Sequence, residues 1–252
     1  MIGIITAPTS KQDMKCEHSY IKIAYLHWIE MSGEQAIFIP YDIKEKELEV
    51  LLSRIQGIVW VGGGIENSNF HTHEQYTTLI NTLFFCYQYA IQENEKGNYY
   101  PIWGTCLGFD ILLMFANHLP SLQDSLIPFS LHGSYPCTFT STNTKLKKGF
   151  TSQLRQQMKK QSCVFHNHIY GNMTVPDTVD IVSMHDTFIN MIEFKQYPFY
   201  GVQFHPEQPH TELGIQVSRH FSLFFKNECN KNKNKWKWKL SDFKPKEGIK
   251  LI

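Results

Sequence analysis

The sequence predicts an α/β fold with a mostly parallel central sheet and an antiparallel strand insert. In the first half, short apolar runs alternate with segments of helical periodicity, which is typical of βαβ units. We expect strands at about 2–6, 36–40, 57–61 and 101–105. The stretch from about 127 to 204 is instead rich in Thr, Ser, Phe and Val in short β-like runs, which indicates the antiparallel insert.

Helices are expected between and after these strands. The sequence pattern predicts them over residues 20–29, 48–55, 76–91, 152–161 and 212–225. Gly33 stands where the first of these helices would end, because glycine readily adopts the left-handed conformation that terminates helices. Residues 141–148 form a polar break inside the insert.

Length and composition favour one folded domain followed by a tail. The chain has 252 residues, of which 42% are hydrophobic and 19% charged, as in ordinary globular proteins. We place the domain at 1–228 and a tail rich in Lys and Trp at 229–252. Residues 226–252 hold nine lysines and three acidic residues, whereas the remainder holds fifteen basic and twenty acidic residues. This acidic body argues against nucleic acid as a partner.

The amino terminus and the cysteines bear on the compartment. Met1 is followed at once by an apolar run, residues 2–5, which lacks the basic start and cleavage site of a secretory signal. No run approaches the roughly 18–20 apolar residues that cross a bilayer. The sequence alone therefore favours the cytoplasm. Six cysteines lie far apart without a Cys-x-x-Cys pair, so free thiols are expected rather than a disulfide framework or a zinc ribbon.

Residues 101–110 carry the strongest indication of chemistry. Their sequence is Pro-Ile-Trp-Gly-Thr-Cys-Leu-Gly-Phe-Asp, between a predicted strand and an apolar helical run. Gly104 and Gly108 flank Cys106 two residues to either side. This is the cysteine version of a nucleophile elbow, a sharp strand-to-helix turn that exposes the nucleophile. A helix amino terminus also favours the thiolate. The alternative for a lone Gly-x-Cys-x-Gly is an ordinary buried cysteine.

Residues 200–207 supply the groups that a thiolate needs. Their sequence is Tyr-Gly-Val-Gln-Phe-His-Pro-Glu. His205 is the candidate general acid and base, which carries a proton to the leaving group. Glu207 lies two positions along an extended segment, where it can orient the imidazole as the third member of a triad. By itself, His-Pro-Glu is more often a polar loop after a strand.

Together the two segments resemble the class I glutamine amidotransferase superfamily, in which an elbow and a terminal Phe-His-Pro-Glu occur in this order and at about this separation. The resemblance is greatest to the gamma-glutamyl hydrolases, which act on folyl poly-gamma-glutamates. It spans roughly residues 2–228. It implies a three-layer, flavodoxin-like fold and a cysteine hydrolase with Cys106, His205 and Glu207 as its triad. It also implies no cofactor and a small-molecule γ-glutamyl substrate.

The resemblance assigns further residues around the triad. A glycine loop follows the third predicted strand, and its N–H group at Gly63 or Gly64 would form an oxyanion hole with the N–H of Leu107. A plain tight turn is the alternative for these glycines. Residues 164–166 resemble a substrate-lining Asn-Phe-His, which implies that His166 binds substrate.

Departures from the family pattern leave the specificity pocket open. Asp110 stands where the family has Glu, Phe204 where it has Trp, and Val164 where it has Asn. Family members often carry a signal peptide and are lysosomal, vacuolar or secreted, so the compartment also stays open. The oligomeric state is undetermined, with a homodimer as one alternative.

Other patterns have weaker implications. Residues 71–73 and 166–168 are each His-x-His, but no matching Cys or acidic pair accompanies them, so no metal site is expected. Asn172-Met173-Thr174 fits a glycosylation acceptor. Residues 235–239 alternate Lys and Trp, a pattern that could contact a membrane or a partner. We expect instead that the basic tail folds back on the acidic body.

Two rival functions stay open at this point. The glutaminase half of an amidotransferase uses the same triad to release ammonia for a partner synthetase, although its elbow usually ends in Gln where this chain has Asp110. A triad-bearing fold can also persist as a binding or structural subunit without turnover. The intact Cys106, His205 and Glu207 count against that second rival.

Overall fold

The computed structural model describes residues 1–8, 19–63, 74–238 and 249–251. The strands are β1 (Ile2–Ile5), β2 (Ala7–Pro8), β3 (Ser19–Ile21), β4 (Ala36–Ile39), β5 (Ile58–Trp60), β6 (Ile102–Thr105), β7 (Ile127–Tyr135), β8 (Thr138–Phe139), β9 (Val164–Gly171), β10 (Val179–His185), β11 (Phe188–Phe194), β12 (Phe199–Val202) and β13 (Ile249–Leu251). The helices are α1 (Ile23–Glu30), α2 (Glu45–Leu52), α3 (Glu74–Glu95), α4 (Leu107–Ala116), α5 (Lys145–Lys148), α6 (Ser152–Lys160) and α7 (Glu212–Cys229). A 3₁₀ turn covers Leu122–Asp124.

A mixed sheet forms the centre of the protein. Its strand order over the described residues is β4-β1-β5-β6-β12-β11-β10-β8. The pairings from β4 through β12 are parallel, and those from β12 through β8 are antiparallel. The predicted α/β fold with a mostly parallel sheet is therefore confirmed, and the insert returns its chain to the parallel part through β12.

Helices cover both faces of this sheet. Successive strand side chains point to opposite faces, so Trp60 joins the apolar core beneath α2, α3 and α4, whereas Val59 and Trp103 join the core beneath α1, α6 and α7. Both cores consist of fully buried aliphatic and aromatic side chains. The result is the predicted three-layer arrangement.

The antiparallel insert has two parts. β8, β10 and β11 extend the central sheet, while β7 and β9 pair only with each other as a separate ribbon. The short helix α5 lies within the predicted polar break and begins where the Thr144 side chain accepts a hydrogen bond from Lys147 N–H. Thr151 caps α6 in the same way.

The first helix is shorter than predicted. It begins at Ile23, not at Tyr20, because Ser19–Ile21 form the fully buried strand β3. β3 pairs with β2 and, in parallel, with β13. The helix ends before Gly33 as expected. Gly33 has a positive φ of 81° and donates its N–H to the carbonyl of Glu30.

The tail lies against the body through aromatic and amide contacts. The rings of Trp236 and Trp238 meet edge to face at 5.3 Å and pack on the core, and the Arg54 guanidinium lies 4.3 Å from the Trp238 ring. Asn234 Nδ2 donates to the carbonyls of Leu52 and Ile55 at 3.1 and 2.9 Å. The tail folds back as predicted, although not through acid–base pairs at these positions. The division of the chain after residue 228 is retained as a proposal.

The sheet order places the candidate chemistry in one region. β5, β6 and β12 are neighbouring parallel strands, so their carboxyl ends meet at one edge. The glycine loop follows β5, Cys106 follows β6 and His205 follows β12. Ligand sites of open α/β sheets form at this edge. Within the described ranges, no helix has the length and apolar composition that crossing a bilayer requires.

Candidate active site

Cys106 occupies a strained turn between β6 and α4. Its φ is 51° and its ψ is −110°, a conformation that side-chain-bearing residues rarely adopt. The surroundings hold it there, because its N–H donates to the Val202 carbonyl at 2.8 Å and its carbonyl accepts from Asp110 N–H at 2.9 Å. Strain of this kind is typical of a nucleophile elbow.

The flanking glycines are required by close packing and not by unusual backbone angles. A Cβ on Gly104 would lie 2.7 Å from the Gly108 carbonyl oxygen. A Cβ on Gly108 would lie only 2.4 Å from the Trp60 carbonyl oxygen. Both distances are shorter than real Cβ atoms show. The amino terminus of α4 can therefore approach β5 only if both positions are glycine.

His205 and Glu207 form a buried pair beside this turn. His205 Nδ1 and Glu207 Oε1 are 2.7 Å apart, and Gln208 Nε2 donates to the same carboxylate oxygen at 3.0 Å. The backbone is fixed on both sides of the pair. His205 N–H donates to the Phe165 carbonyl, and the Ser218 hydroxyl donates to the Pro206 carbonyl at 2.6 Å.

The electrostatics of the pair favour a charged imidazolium and carboxylate. Burial alone would lower the pKa of His205, but the negative charges of Glu207 and Cys106 and hydrogen bonding to both raise it to about 10. Burial would likewise raise the pKa of Glu207, but the charge and hydrogen bond of His205 and the bond from Gln208 hold it below its ordinary value. The Glu207 interaction occupies His205 Nδ1, so Nε2 is left for the thiol side of the site.

The glycine loop is anchored by a residue that the sequence did not single out. Gly62 N–H donates to the Tyr25 hydroxyl at 2.7 Å. Burial, and then the charge of Glu207, raise the pKa of Tyr25 well above its ordinary value, so it stays a neutral phenol. A Cβ on Gly62 would lie 2.9 Å from His205 Cε1 and 3.2 Å from Cys106 Cβ. Tyr25 thus ties the loop to the carboxylate beneath the cysteine.

The proposed oxyanion donors fall on two adjoining segments. A Cβ built on Gly63 would lie 3.1 Å from Leu107 Cδ2. Leu107 begins α4, where N–H groups lack intrahelical acceptors. Gly62 N–H is already bonded to Tyr25, so it is not the loop's free donor. Gly64 lies outside the described residues.

His166 lies next to these groups without contacting them directly in a hydrogen bond. It is buried on β9, and its ring centroid is 5.9 Å from that of Phe204. Its Nδ1 pairs with His168 Nε2 at 2.9 Å, so this predicted substrate residue has a partner that the sequence did not indicate. Of the other His-x-His pattern, residues 71–73, nothing is described. No three His, Cys, Asp or Glu side chains converge as a metal site within the part of the chain that the structure covers.

Asn172 is not a glycosylation acceptor, contrary to the sequence pattern. Its side chain is 1% exposed, and its Nδ2 donates to Asp110 Oδ1 at 2.7 Å. Burial raises the pKa of Asp110 well above its ordinary value, while hydrogen bonds from Gln203 and Asn172 oppose that rise. The motif matched in sequence, but a buried and bonded amide nitrogen cannot receive a glycan.

A cysteine on a strained strand-to-helix turn, beside a His–Glu pair and at the carboxyl edge of a parallel sheet, defines a class I glutamine amidotransferase-like protein. A solved GMP synthase structure from Thermoplasma acidophilum superposes with a TM-score of 0.57. The match covers 91% of this chain and 94% of the other at 20% sequence identity. It confirms the fold.

The chain belongs to the peptidase C26 family, whose model matches residues 1–207. It is 27% identical to gamma-glutamyl hydrolase B of Dictyostelium discoideum and 25% identical to the human gamma-glutamyl hydrolase. Both matches cover 92% of this chain, with 72% and 78% of the respective relatives. The family resemblance drawn from the two motifs is confirmed, and the chain is an enzyme of a cysteine peptidase family.

Proposed function

We propose that this protein hydrolyses γ-glutamyl amide bonds through Cys106, His205 and Glu207. One observation carries the proposal: the cysteine on the strained elbow and the buried His–Glu pair meet at the ends of adjacent strands, in a chain of the peptidase C26 family. The curated relatives are themselves named gamma-glutamyl hydrolases. The resemblance drawn from the motifs suggests folyl poly-γ-glutamates as the substrates.

The first half-reaction forms an acyl-enzyme. The Cys106 sulfur, as the thiolate, attacks the γ-carbonyl carbon, and a carbon–sulfur bond forms as the carbonyl oxygen becomes an oxyanion. The N–H groups of Gly63 or Gly64 and of Leu107 stabilise that charge. His205, held as the imidazolium by Glu207, donates its proton to the leaving nitrogen as the carbon–nitrogen bond breaks.

The second half-reaction restores the enzyme. Neutral His205 takes a proton from water, and the resulting hydroxide attacks the thioester carbon. The carbon–sulfur bond breaks, and the glutamyl product leaves as its carboxylic acid. Glu207 keeps the imidazole oriented throughout, and Tyr25 supports both the carboxylate and the glycine loop. None of these steps requires a metal or an organic cofactor.

The test is mass spectrometry of the products formed from pteroyl-poly-γ-glutamates of defined length. Shortened pteroyl chains and released glutamate or glutamyl peptides are expected, and the product lengths distinguish endo- from exo-cleavage. Free glutamine, assayed in parallel, tests the glutaminase alternative. If ammonia is released from glutamine while the poly-γ-glutamates stay intact, the proposal is wrong.

A further inference from the structure

Three histidines cluster beside the proposed catalytic groups. His166 and His168 lie on β9, and His185 ends β10. The ring centroid of His166 is 5.2 Å from that of His168 and 5.5 Å from that of His185. His166 is also close enough to His205 for their charges to interact. We call His166 and His168 the histidine pair.

The hydrogen bonds of the histidine pair determine which ring nitrogens carry protons. The carbonyl oxygen of Tyr170 can only accept, so His168 Nδ1, at 2.8 Å from it, must be the protonated donor. In a neutral ring the other nitrogen, His168 Nε2, is then a lone-pair acceptor. It lies 2.9 Å from His166 Nδ1, which must therefore donate to it. As a consequence, His166 Nε2 carries no proton.

This argument requires both rings to be neutral, and their surroundings meet that requirement. Burial lowers the pKa of His166 to about 2, and the neighbouring charges of His168, His185 and His205 contribute to that shift. Burial, followed by the smaller effects of His205 and His185, lowers the pKa of His168 to about 4 despite its bond to the Tyr170 carbonyl. At neutral pH the pair is uncharged.

His166 Nε2 is a buried acceptor without a hydrogen-bond partner in the described part of the chain. Such an atom is costly to leave unpaired, so it is expected to find a donor when the site is filled. An ionised carboxylate has no proton to donate. The α-carboxylates of a poly-γ-glutamate therefore cannot pair with His166 in this tautomer, whereas its N–H groups can.

We propose that His168 is a positioning residue, which holds His166 as the acceptor for an N–H group of the substrate. The inference rests on the proposed function for the class of substrate. Two N–H sources exist in a γ-glutamyl amide: the scissile amide itself and the nitrogen on the α-carbon of the glutamyl residue. Both present the same donor chemistry, and the substrates below distinguish them.

The tautomers can be measured without any assumption about activity. Long-range ¹H–¹⁵N spectra of the full chain labelled at histidine report which ring nitrogen is protonated. His166 and His168 are both expected to be protonated at Nδ1 alone at neutral pH, with assignments made from single histidine variants. A proton on His166 Nε2 would overturn the inference, even if the protein proves to be an active γ-glutamyl hydrolase.

The effect on catalysis is tested by reversing the polarity of the partner. The His168→Lys ammonium only donates, so it would make His166 Nδ1 the acceptor and place the proton on Nε2. Position 168 is partly exposed, so the ammonium can reach water. His132→Lys is the matched control, because His132 is an exposed histidine of the same two-stranded ribbon. His168→Phe serves if the lysine variant does not fold.

Three substrates complete the test: a γ-glutamyl anilide, the corresponding phenyl ester without a scissile N–H, and a glutaryl anilide without the α-nitrogen. His168→Lys is expected to lower kcat/KM for the γ-glutamyl anilide roughly tenfold. It should spare the one analogue that lacks the N–H group bound by His166, and His132→Lys should spare all three. Equal losses on all three substrates would refute the inference. If wild-type protein cleaves none of them, the proposed function fails, and the spectra alone decide the role of His168.

Discussion

Gly108→Ala should damage the enzyme through a single methyl group. The added Cβ would lie 2.4 Å from the Trp60 carbonyl oxygen and 2.8 Å from its carbonyl carbon. Since real Cβ atoms essentially never approach closer than 3.0 Å, the start of α4 must move by about 0.6 Å or more away from β5. That movement carries Cys106 and the N–H of Leu107 with it.

The structure gives the size of both effects. Overpacking of this kind costs about 1–3 kcal/mol in the free energy of unfolding. Displacement of a catalytic group by about 1 Å costs on the order of 100-fold in rate, so a loss of roughly 10- to 100-fold in kcat/KM is expected. Chromogenic γ-glutamyl anilide hydrolysis measures the second effect, and thermal unfolding measures the first.

Gly149→Ala provides the control. Gly149 has an ordinary φ of −61°, and a Cβ added there would meet nothing nearer than 3.3 Å. That variant should keep its activity and nearly all of its stability. A Gly108→Ala enzyme with wild-type kcat/KM and melting temperature would refute the argument that this glycine is required by close packing.

The remaining predictions test the charges, the loop and the tail. Glu207→Gln should lower kcat/KM while leaving measurable turnover, since an amide can partly orient the imidazole; wild-type kinetics would exclude an orienting role. Because the folded pKa of His205 is raised to about 10 from roughly 6.5, its stabilisation should be complete below pH ~6.5 and disappear as the pH rises to about 10. Calorimetry should show that loss in wild-type protein and a flatter profile in Glu207→Gln. Tyr25→Phe leaves the Gly62 N–H without its acceptor and should cost about 1–3 kcal/mol in unfolding free energy together with activity; denaturant melts showing no change would contradict this. Truncation after Cys229 should lower the melting temperature at low and at high salt alike and spare catalysis, and a loss confined to low salt would indicate that charge pairing holds the tail.

The sequence predicted the parts of the fold that depend on periodicity. The parallel strands and the main helices follow from alternating apolar runs, which local patterns record well. Tyr20 was assigned to a helix because it has the right spacing from the apolar residues that follow it. Its strand conformation depends on pairing with β2 and with β13, near the far end of the chain, and local periodicity does not register such partners.

The candidate site was predictable where a short motif contains its own geometry. Cys106 with its flanking glycines, and His205 with Glu207, each form one local unit, so their spacing was enough to find them. Tyr25 could have been found from the apolar face that it shares with Trp28 and Ile29 on α1. Its bond to Gly62 could not, since that contact joins residues separated by 37 positions.

The histidine pair shows a different limit of the sequence. His166 and His168 were visible as neighbours on one face of a strand, and that pattern was weighed only as half of a metal site. Their actual relation depends on the Tyr170 carbonyl, which turns one ring and so fixes the other. Backbone groups carry no sequence signal, so the polarity of a hydrogen-bond chain that starts from one is not predictable from residue types.

The most direct test of the central claim is to identify the cysteine that forms the covalent intermediate. Wild-type protein is treated with a γ-diazoketone analogue of glutamate, which alkylates a nucleophilic thiol, and is then digested and mapped by mass spectrometry. The account predicts one adduct, on Cys106, formed in proportion to the loss of γ-glutamyl hydrolase activity. It also predicts that Cys106→Ala is folded, unlabelled and inactive. Labelling of another cysteine in proportion to inactivation, or hydrolysis by Cys106→Ala at the wild-type rate, would contradict the account.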